Sequence, residues 1–261
     1  MPELPEVEQA ARVLRAAAVG KSVRNVRVLH PAQRRNLSTR AITRVRGARI
    51  VSVERRGKHQ LLSLSTGDTL VVHFRMTGDW FIDDGVAPVP KYARVALELD
   101  DGVRISLVDP RALSTVTLHH DGATTLPSLG PDPTDPDLGV ATLGHALSRR
   151  RIPIKVALLD QRVLAGVGNI YAAEALWLAR IDPRAIASSL SRARQARLLD
   201  AIRSVLAKAQ AWSAGRYRED GGGRFEVYDR EGLPCSRCGT AIRRIVQAAR
   251  STYYCPHCQR R

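Results

Sequence analysis

Cys235-Ser236-Arg237-Cys238, sixteen intervening residues, and then Cys255-Pro256-His257-Cys258 form the stretch that says most about how this 261-residue chain folds. Two Cys-x-x-Cys pairs at this interval have the four-thiolate spacing of a zinc ribbon, in which each knuckle turns two sulfurs toward one tetrahedral ion. One structural Zn2+, held by Cys235, Cys238, Cys255 and Cys258 and open to no substrate, is therefore expected. Free or redox-active thiols are the competing reading, and the paired spacing argues against it. Arg243, Arg244 and Arg250 lie between the pairs. A zinc-clamped hairpin studded with arginine suits a nucleic-acid backbone, and it equally describes a solvated face.

Upstream of the ribbon a glycine-rich stretch, Gly221–Gly223, follows a helical region. Apolar spacing predicts helices over Val140–Ser148, Ile154–Leu159, Ile170–Ala179 and Ala193–Ala211. Between the second and third lies Gly166-Val167-Gly168-Asn169. Both glycines permit positive φ and close backbone approach, and Asn169 is placed to cap a helix starting at Ile170. The N–H groups of such a helix start suit a phosphate, although a plain helix–helix turn explains the glycines as well.

Pro127, Pro131, Pro133 and Pro136 mark Leu126–Leu138 as a linker. Before it, from Ser22 to about His119, the pattern has period two. Val23–Leu29, Arg49–Val53, Gln60–Leu64, Thr69–Phe74, Arg94–Leu99 and Val103–Val108 read as short strands, separated by turns at Thr66-Gly67-Asp68, Asp83-Asp84-Gly85 and Asp100-Asp101-Gly102. An antiparallel sandwich or barrel is the expected result. Ahead of it Val7, Ala10, Ala11 and Leu14 give one buried face to a first helix.

The chain carries 41 Lys+Arg against 25 Asp+Glu, a formal charge of +16. That excess favours a polyanionic partner, because each neutralised phosphate releases condensed counterions, and nucleic acid is favoured over a merely soluble, arginine-biased surface. No apolar run is long enough for a membrane span, and the acidic start MPELPEVEQ is unlike a secretory signal. A cytoplasmic protein, associated with the nucleoid through DNA, is expected.

Met1 precedes the small Pro2, the context in which an initiator methionine is removed to leave a secondary amine. Such an amine can form an iminium with an aldehyde carbon. With a pKa near 8, it is roughly a tenth neutral at pH 7, whereas an ordinary lysine is neutral about once in 2,500. Glu3 adjoins the amine and Glu6 lies one helical turn away, so both could serve one reacting sugar. Acidic residues in a first turn also simply complement the helix dipole, and the pentapeptide alone favours that plainer role.

These pieces together resemble the formamidopyrimidine-DNA glycosylase and endonuclease VIII family. Four blocks match in order: Met1 to Glu8; Arg55-Arg56-Gly57-Lys58; Leu159-Asp160-Gln161 with Gly166 to Ala172 and Glu174-Ala175-Leu176; and Arg250 to Gln259. The resemblance implies an α+β multidomain protein. Its parts would be a catalytic helix on an antiparallel β-sandwich (1–125), a proline-rich linker (126–139), a helix–two-turn–helix domain (140–223) and a zinc ribbon (224–261). Damaged double-stranded DNA would lie in the cleft, bound by a monomer. The implied activity is glycosylase and abasic-site lyase: the lesion nucleotide flips out, the Pro2 amine attacks C1′, the base leaves, and β,δ-elimination cuts the strand. By the same resemblance Glu3 is the general acid/base, Glu6 supports it, and Lys58 contacts phosphate and damaged base. Met76, Arg111 and Leu113 fill the gap left by the flipped nucleotide, and Lys155, Asn169 and Arg250 hold phosphates.

The match has departures. Leu113 stands where the family has an aromatic wedge, with unusual Ala112 and Ser114 beside it. Leucine still wedges between bases but stacks less well than phenylalanine. Arg75 replaces a common glycine, Tyr92-Ala93-Arg94 replaces a more polar stretch, and Ala214–Phe225 is shorter than the loop that caps 8-oxoguanine. The lesion is therefore left open among abasic sites, oxidised pyrimidines and bulky or cross-linked adducts. A catalytically silent binder of abasic or distorted DNA is the rival reading, and the set Pro2, Glu3, Glu6 and Lys58 argues against it. A zinc-ribbon transcription or RNA-binding factor would leave the N-terminal block unexplained.

Overall fold

Pro2 and Pro5 bracket the start of the first helix. In this computed structural model, which describes residues 1–120, 126–211 and 225–260, helix α1 spans Leu4–Ala18 with Glu3 as its N-cap. Pro5 falls in the first turn, where an absent N–H costs little. Leu4, Val7, Ala10, Ala11, Leu14 and Ala18 form its buried face.

The chain divides into two units, Met1–Pro127 and Ser128–Arg261. In the first, eight strands follow α1: β1 (Val23–Val28), β2 (Ile50–Arg56), β3 (His59–Leu64), β4 (Thr69–His73), β5 (Asp79–Asp83), β6 (Ala93–Leu99), β7 (Arg104–Val108) and β8 (Thr115–His119). They make two antiparallel sheets, ordered β1-β6-β7-β5 and β2-β3-β4-β8. Both sheets and α1 contribute to one apolar cluster, which includes Leu14, Val26, Val53, Leu62, Val72, Leu97 and Leu107. The unit is a β-sandwich with α1 packed on β2.

Alternation over-reads one part of this unit. Helices α2 (Pro31–Arg34) and α3 (Thr39–Val45) lie between the first two expected strands, inside the region read as period two but in a stretch given no element. Local start signals outweigh the period there. His30 Nδ1 accepts the Ala32 N–H ahead of Pro31, and Ser38 Oγ accepts the Ala41 N–H. Strands β5 and β8 are additional to the six expected, because half-buried β5 lacks a clean alternation.

The second unit contains α4 (Val140–Ser148), α5 (Ile154–Leu159), α6 (Asn169–Leu178), α7 (Arg192–Ala211) and a hairpin of β9 (Arg243–Gln247) with β10 (Arg250–Tyr254). Ile170 to Trp177 of α6 are all buried, as expected of a helix apolar all round. The α5–α6 turn is stapled by Gln161, which donates to Leu159 O and Val167 O and accepts the Gly166 N–H at 2.9 Å. Glu174 on α6 accepts three successive amides, of Glu226, Val227 and Tyr228, each at 2.9 Å. Burial pushes its carboxyl up even so. The bonds fix the ribbon to the helix, and Ala173 and Trp177 share an apolar cluster with Val227, Ile242 and Tyr253. No helix among the described residues is long and apolar enough to cross a membrane. The short segment Ala214–Phe225 and Gly221–Gly223 lie, apart from Phe225, outside the described residues.

Candidate functional site

Glu3 is wholly buried, and its N–H donates to Glu6 Oε2 at 2.9 Å within a reciprocal capping box. The box satisfies the helix start and also keeps both carboxylates within one turn of half-buried Pro2. Two arginine bonds lock α1 onto β2: Arg55 Nε reaches Glu8 Oε2 at 2.7 Å, and Arg15 Nε reaches Val53 O at 2.9 Å. Arg55 stands two residues before the β2–β3 turn. That turn is the dipeptide Gly57-Lys58, with Gly57 at φ +59° in its first position as a tight hairpin of this type requires. The helix start and the Lys58 hairpin thus belong to one braced element.

Met76, Arg111 and Leu113 are all exposed, on two loops that one carboxylate joins. Asp109, fully buried, accepts the Thr77 hydroxyl from the first loop. From the second it accepts the amides of Arg111 at 3.1 Å and of Leu113 and Ser114 at 2.7 Å. Arg94 Nε supports the same corner by donating to Asp109 O at 2.6 Å, which gives the unexpected Arg94 a local task. Each exposed apolar tip follows a non-glycine residue in the left-handed region: Arg75 at φ +58° precedes Met76, and Ala112 at φ +54° precedes Leu113. Backbone conformation therefore explains why glycine suits position 75.

Two histidines beside this loop were not singled out from sequence. His59 and His73 are direct cross-strand partners with ring centroids 4.7 Å apart, and His73 Nδ1 accepts the Arg75 N–H at 2.9 Å. Burial, then the charges of His59, Arg75 and Lys58, hold His73 down to about 3. His59 is lowered too, chiefly by burial. Both rings are neutral at pH 7, beside the Lys58 ammonium. The β3–β4 register was the available signal, since it pairs the two histidines at the end that carries Lys58.

In the second unit Lys155 is fully buried, and its Nζ donates to Asn169 Oδ1 at 2.5 Å and Ser251 O at 3.3 Å. Asn169 Nδ2 donates to the same carbonyl at 3.1 Å. This overturns the expected cap: α6 begins at Asn169 with Gly168 as N-cap, and the Asn169 side chain is spent on Lys155 and the ribbon. Gly166 has the positive φ, +92°, whereas Gly168 is extended. Arg250 is exposed at the start of β10, after a two-residue turn whose alanines, Ala248 and Ala249, are both left-handed. Lys155, Asn169 and the β10 backbone are brought together, and Arg250 is next in sequence to the shared Ser251.

The four cysteine sulfurs all lie within 4.8 Å of one another, with Cys235–Cys258 at 4.0 Å and Cys238–Cys255 at 3.5 Å. Tetrahedral zinc with bonds of about 2.3 Å sets its sulfurs about 3.8 Å apart, so the cluster fits. Hydrogen bonds from Thr240 hold Cys238 down to about 6, while burial pushes Cys258 up to about 12. Trp177 Nε1 donates to Cys235 Sγ at 3.4 Å, a bond that steadies a thiolate.

Family models match three consecutive regions: the formamidopyrimidine-DNA glycosylase N-terminal domain over residues 1–116, its H2TH domain over 129–219, and the zinc finger found in FPG and IleRS over 232–261. The chain belongs to the formamidopyrimidine-DNA glycosylase family. The Rhizorhabdus wittichii formamidopyrimidine-DNA glycosylase is 41% identical over 273 residues, covering 100% of both chains. That of Chloroflexus aggregans is 43% identical over 271 residues, covering 99% of this chain and 98% of its own. A Lactococcus lactis FPG mutant solved with Fapy-dG-containing DNA superposes with a TM-score of 0.91 at 30% identity, covering both chains fully. MutM (FPG) from Thermus thermophilus gives 0.86 at 39% identity, covering 99% of this chain and 98% of that one. In this family member, as in the zinc-finger model it matches, Cys235, Cys238, Cys255 and Cys258 hold one structural zinc. With four sulfurs around it the ion shapes the ribbon and takes no part in chemistry.

Proposed function

We propose that this chain is a DNA glycosylase of base excision repair with abasic-site lyase activity, acting on damaged double-stranded DNA as a monomer. The observation that carries the reading is the helix start, where Pro2 immediately precedes a buried Glu3 locked to Glu6. Removal of Met1 frees the Pro2 amine. Its lone pair attacks C1′ of the flipped sugar, the C1′–N bond breaks, and the base departs with a proton supplied at the Glu3 carboxyl. The sugar ring then opens: the C1′–O4′ bond breaks, O4′ takes up the proton released by the proline nitrogen, and the resulting iminium acidifies C2′–H. Proton removal then expels the 3′ phosphate, and a second elimination expels the 5′ phosphate. Lys58 on its braced hairpin neutralises phosphate and contacts the damaged base. Met76, Arg111 and Leu113 occupy the vacated stack, while Lys155, Asn169 and Arg250 hold the backbone on the second unit.

Borohydride trapping tests the reading, using duplexes that carry an abasic site, 8-oxoguanine or an oxidised pyrimidine. A covalent adduct is expected with wild type and far less of it with Pro2→Gly, whose freed amine is primary and not held by the ring, and the duplexes that trap identify the lesion class. Tight binding to the abasic duplex with no adduct would instead make the protein a silent binder. Intact mass measurement shows whether Met1 has been removed, without which the amine is locked in a peptide bond.

A further inference from the structure

We propose that a hollow at the C-terminal end of α6 docks a carboxylate-rich peptide segment of a partner protein. The hollow has a volume of about 600 Å³ and is lined by Arg180, Arg194, Arg197, Arg237, Arg260 and His257, beside the outer cysteines of the zinc site. It lies away from the Lys155–Asn169 cluster, which sits at the opposite end of a ten-residue helix, roughly 15 Å along its axis.

The arginines are built into place. Arg237 stacks on the Trp177 ring at 3.7 Å and donates to Trp177 O at 2.8 Å and Leu178 O at 3.4 Å. Arg194 donates to Arg260 O at 2.9 Å, and Arg180 sits at φ +57° on the turn leaving α6. Among the described residues none of the five guanidiniums has a carboxylate in ion-pair contact. Asp182 exerts its charge on Arg194, but its carboxylate grips Arg184 at 2.6 Å. Burial, then the charge of Arg197, push Arg194 below its ordinary value. A zinc ion with four thiolates offsets about two positive charges, which leaves roughly three without a counter-charge among the described residues.

The shape of the site selects its occupant. Duplex DNA is stiff over roughly 150 base pairs and cannot turn its phosphates into a hollow. A single strand needs several exposed aromatic faces for its bases; Trp177 is buried beneath Arg237, and among the described lining residues only the His257 imidazole offers an exposed ring. The volume lies within the roughly 300–1,000 Å³ of small-ligand pockets, room for a few residues of peptide. Guanidinium forks fixed by stacking and backbone bonds match carboxylates in paired geometry.

The test is fluorescence anisotropy of a labelled hexapeptide of alternating aspartate and glutamate, titrated with full-length, zinc-loaded protein at about 0.15 M salt, where exposed charge is well screened. One-to-one binding is expected, weakened roughly tenfold or more by Arg180→Glu with Arg197→Glu. Arg24→Glu with Arg40→Glu makes the same change of net charge elsewhere and should weaken it less than about twofold. The pocket variant should keep its zinc, its melting temperature and its strand cutting. Saturating abasic duplex should leave the peptide bound. Equal losses in the two double variants would reduce the effect to net charge, and displacement by the duplex would assign the hollow to the DNA surface. Either result overturns the proposal, as does absence of binding.

Discussion

Asp109 accepts the Leu113 amide at 2.7 Å while exposing none of its own surface. The same carboxylate takes the Thr77 hydroxyl, one residue beyond Met76, so a single buried group sets the separation of the two exposed apolar tips. The hydrogen bonds from Thr77, Ser114 and Leu113 outweigh burial and keep its carboxyl below the ordinary range, hence ionised at neutral pH.

Asp109→Asn keeps the shape but turns an amide NH2 toward donors that have no use for it. A buried donor left unmatched costs roughly 1–3 kcal/mol, and misplacing a wedge by about 1.4 kcal/mol costs tenfold in rate. Excision from a lesion-bearing duplex should fall roughly tenfold or more, while strand cutting at an abasic site in single-stranded DNA changes less than about twofold. Equal loss on both substrates would restrict Asp109 to holding the fold.

Arg75 holds a backbone conformation that costs a non-glycine residue about 1–2 kcal/mol. Arg75→Gly should therefore raise stability, by up to about 1 kcal/mol once glycine's extra freedom in the unfolded chain is subtracted. If the exposed guanidinium faces a phosphate, the same change lowers the salt dependence of DNA binding by about one counterion. Thermal unfolding and a salt titration of affinity check the two halves separately. A drop in melting temperature would show that the side chain secures the loop by contacts that outweigh backbone strain.

Patterns that depend on short intervals were legible in the sequence. The buried stripe of α1, the helices α4 and α5 to the residue, six of the eight sandwich strands and the cysteine knuckles all follow from period or spacing. What escaped depends on partners far away in sequence. Asn169 looked like a cap because capping is a local property, whereas its actual partners include Ser251, 82 residues on. Asp109 and Thr77 are 32 residues apart, and the link exists only once β5 and β7 have paired. The arginine hollow gathers residues from the end of α6, α7 and the ribbon, and no interval in the chain announces it.

His73 makes stability fall with acid. Its folded-state value, about 3, lies below the roughly 6.5 of an exposed histidine, so the folded protein binds fewer protons between those limits. The contribution is complete above about pH 6.5 and is lost as pH falls toward 3. His73→Asn removes the titration and retains an acceptor for the Arg75 amide. The difference in melting temperature between wild type and this variant should shrink from pH 7.5 to 4.5, because carboxylate titration is common to both. A difference constant with pH would mean that His73 is protonated without cost.

Lys155 offers the sharpest separation of fold from DNA binding in the second unit. Its buried ammonium donates to Asn169 Oδ1 and Ser251 O at the start of α6. A buried cation is costly, and an apolar replacement of similar volume is often tolerated to within about 1.5 kcal/mol. In Lys155→Met the Asn169 amide can still reach Ser251 O, so the contact between α6 and β10 keeps one of its bonds. Thermal stability should therefore change little, while affinity for duplex DNA falls and its dependence on salt decreases by about one counterion. Nitrocellulose filter binding from about 50 to 200 mM salt measures that slope. An unchanged slope with lowered melting temperature would mean that Lys155 serves packing between helix and ribbon, and the proposed phosphate role would pass to Asn169 and Arg250.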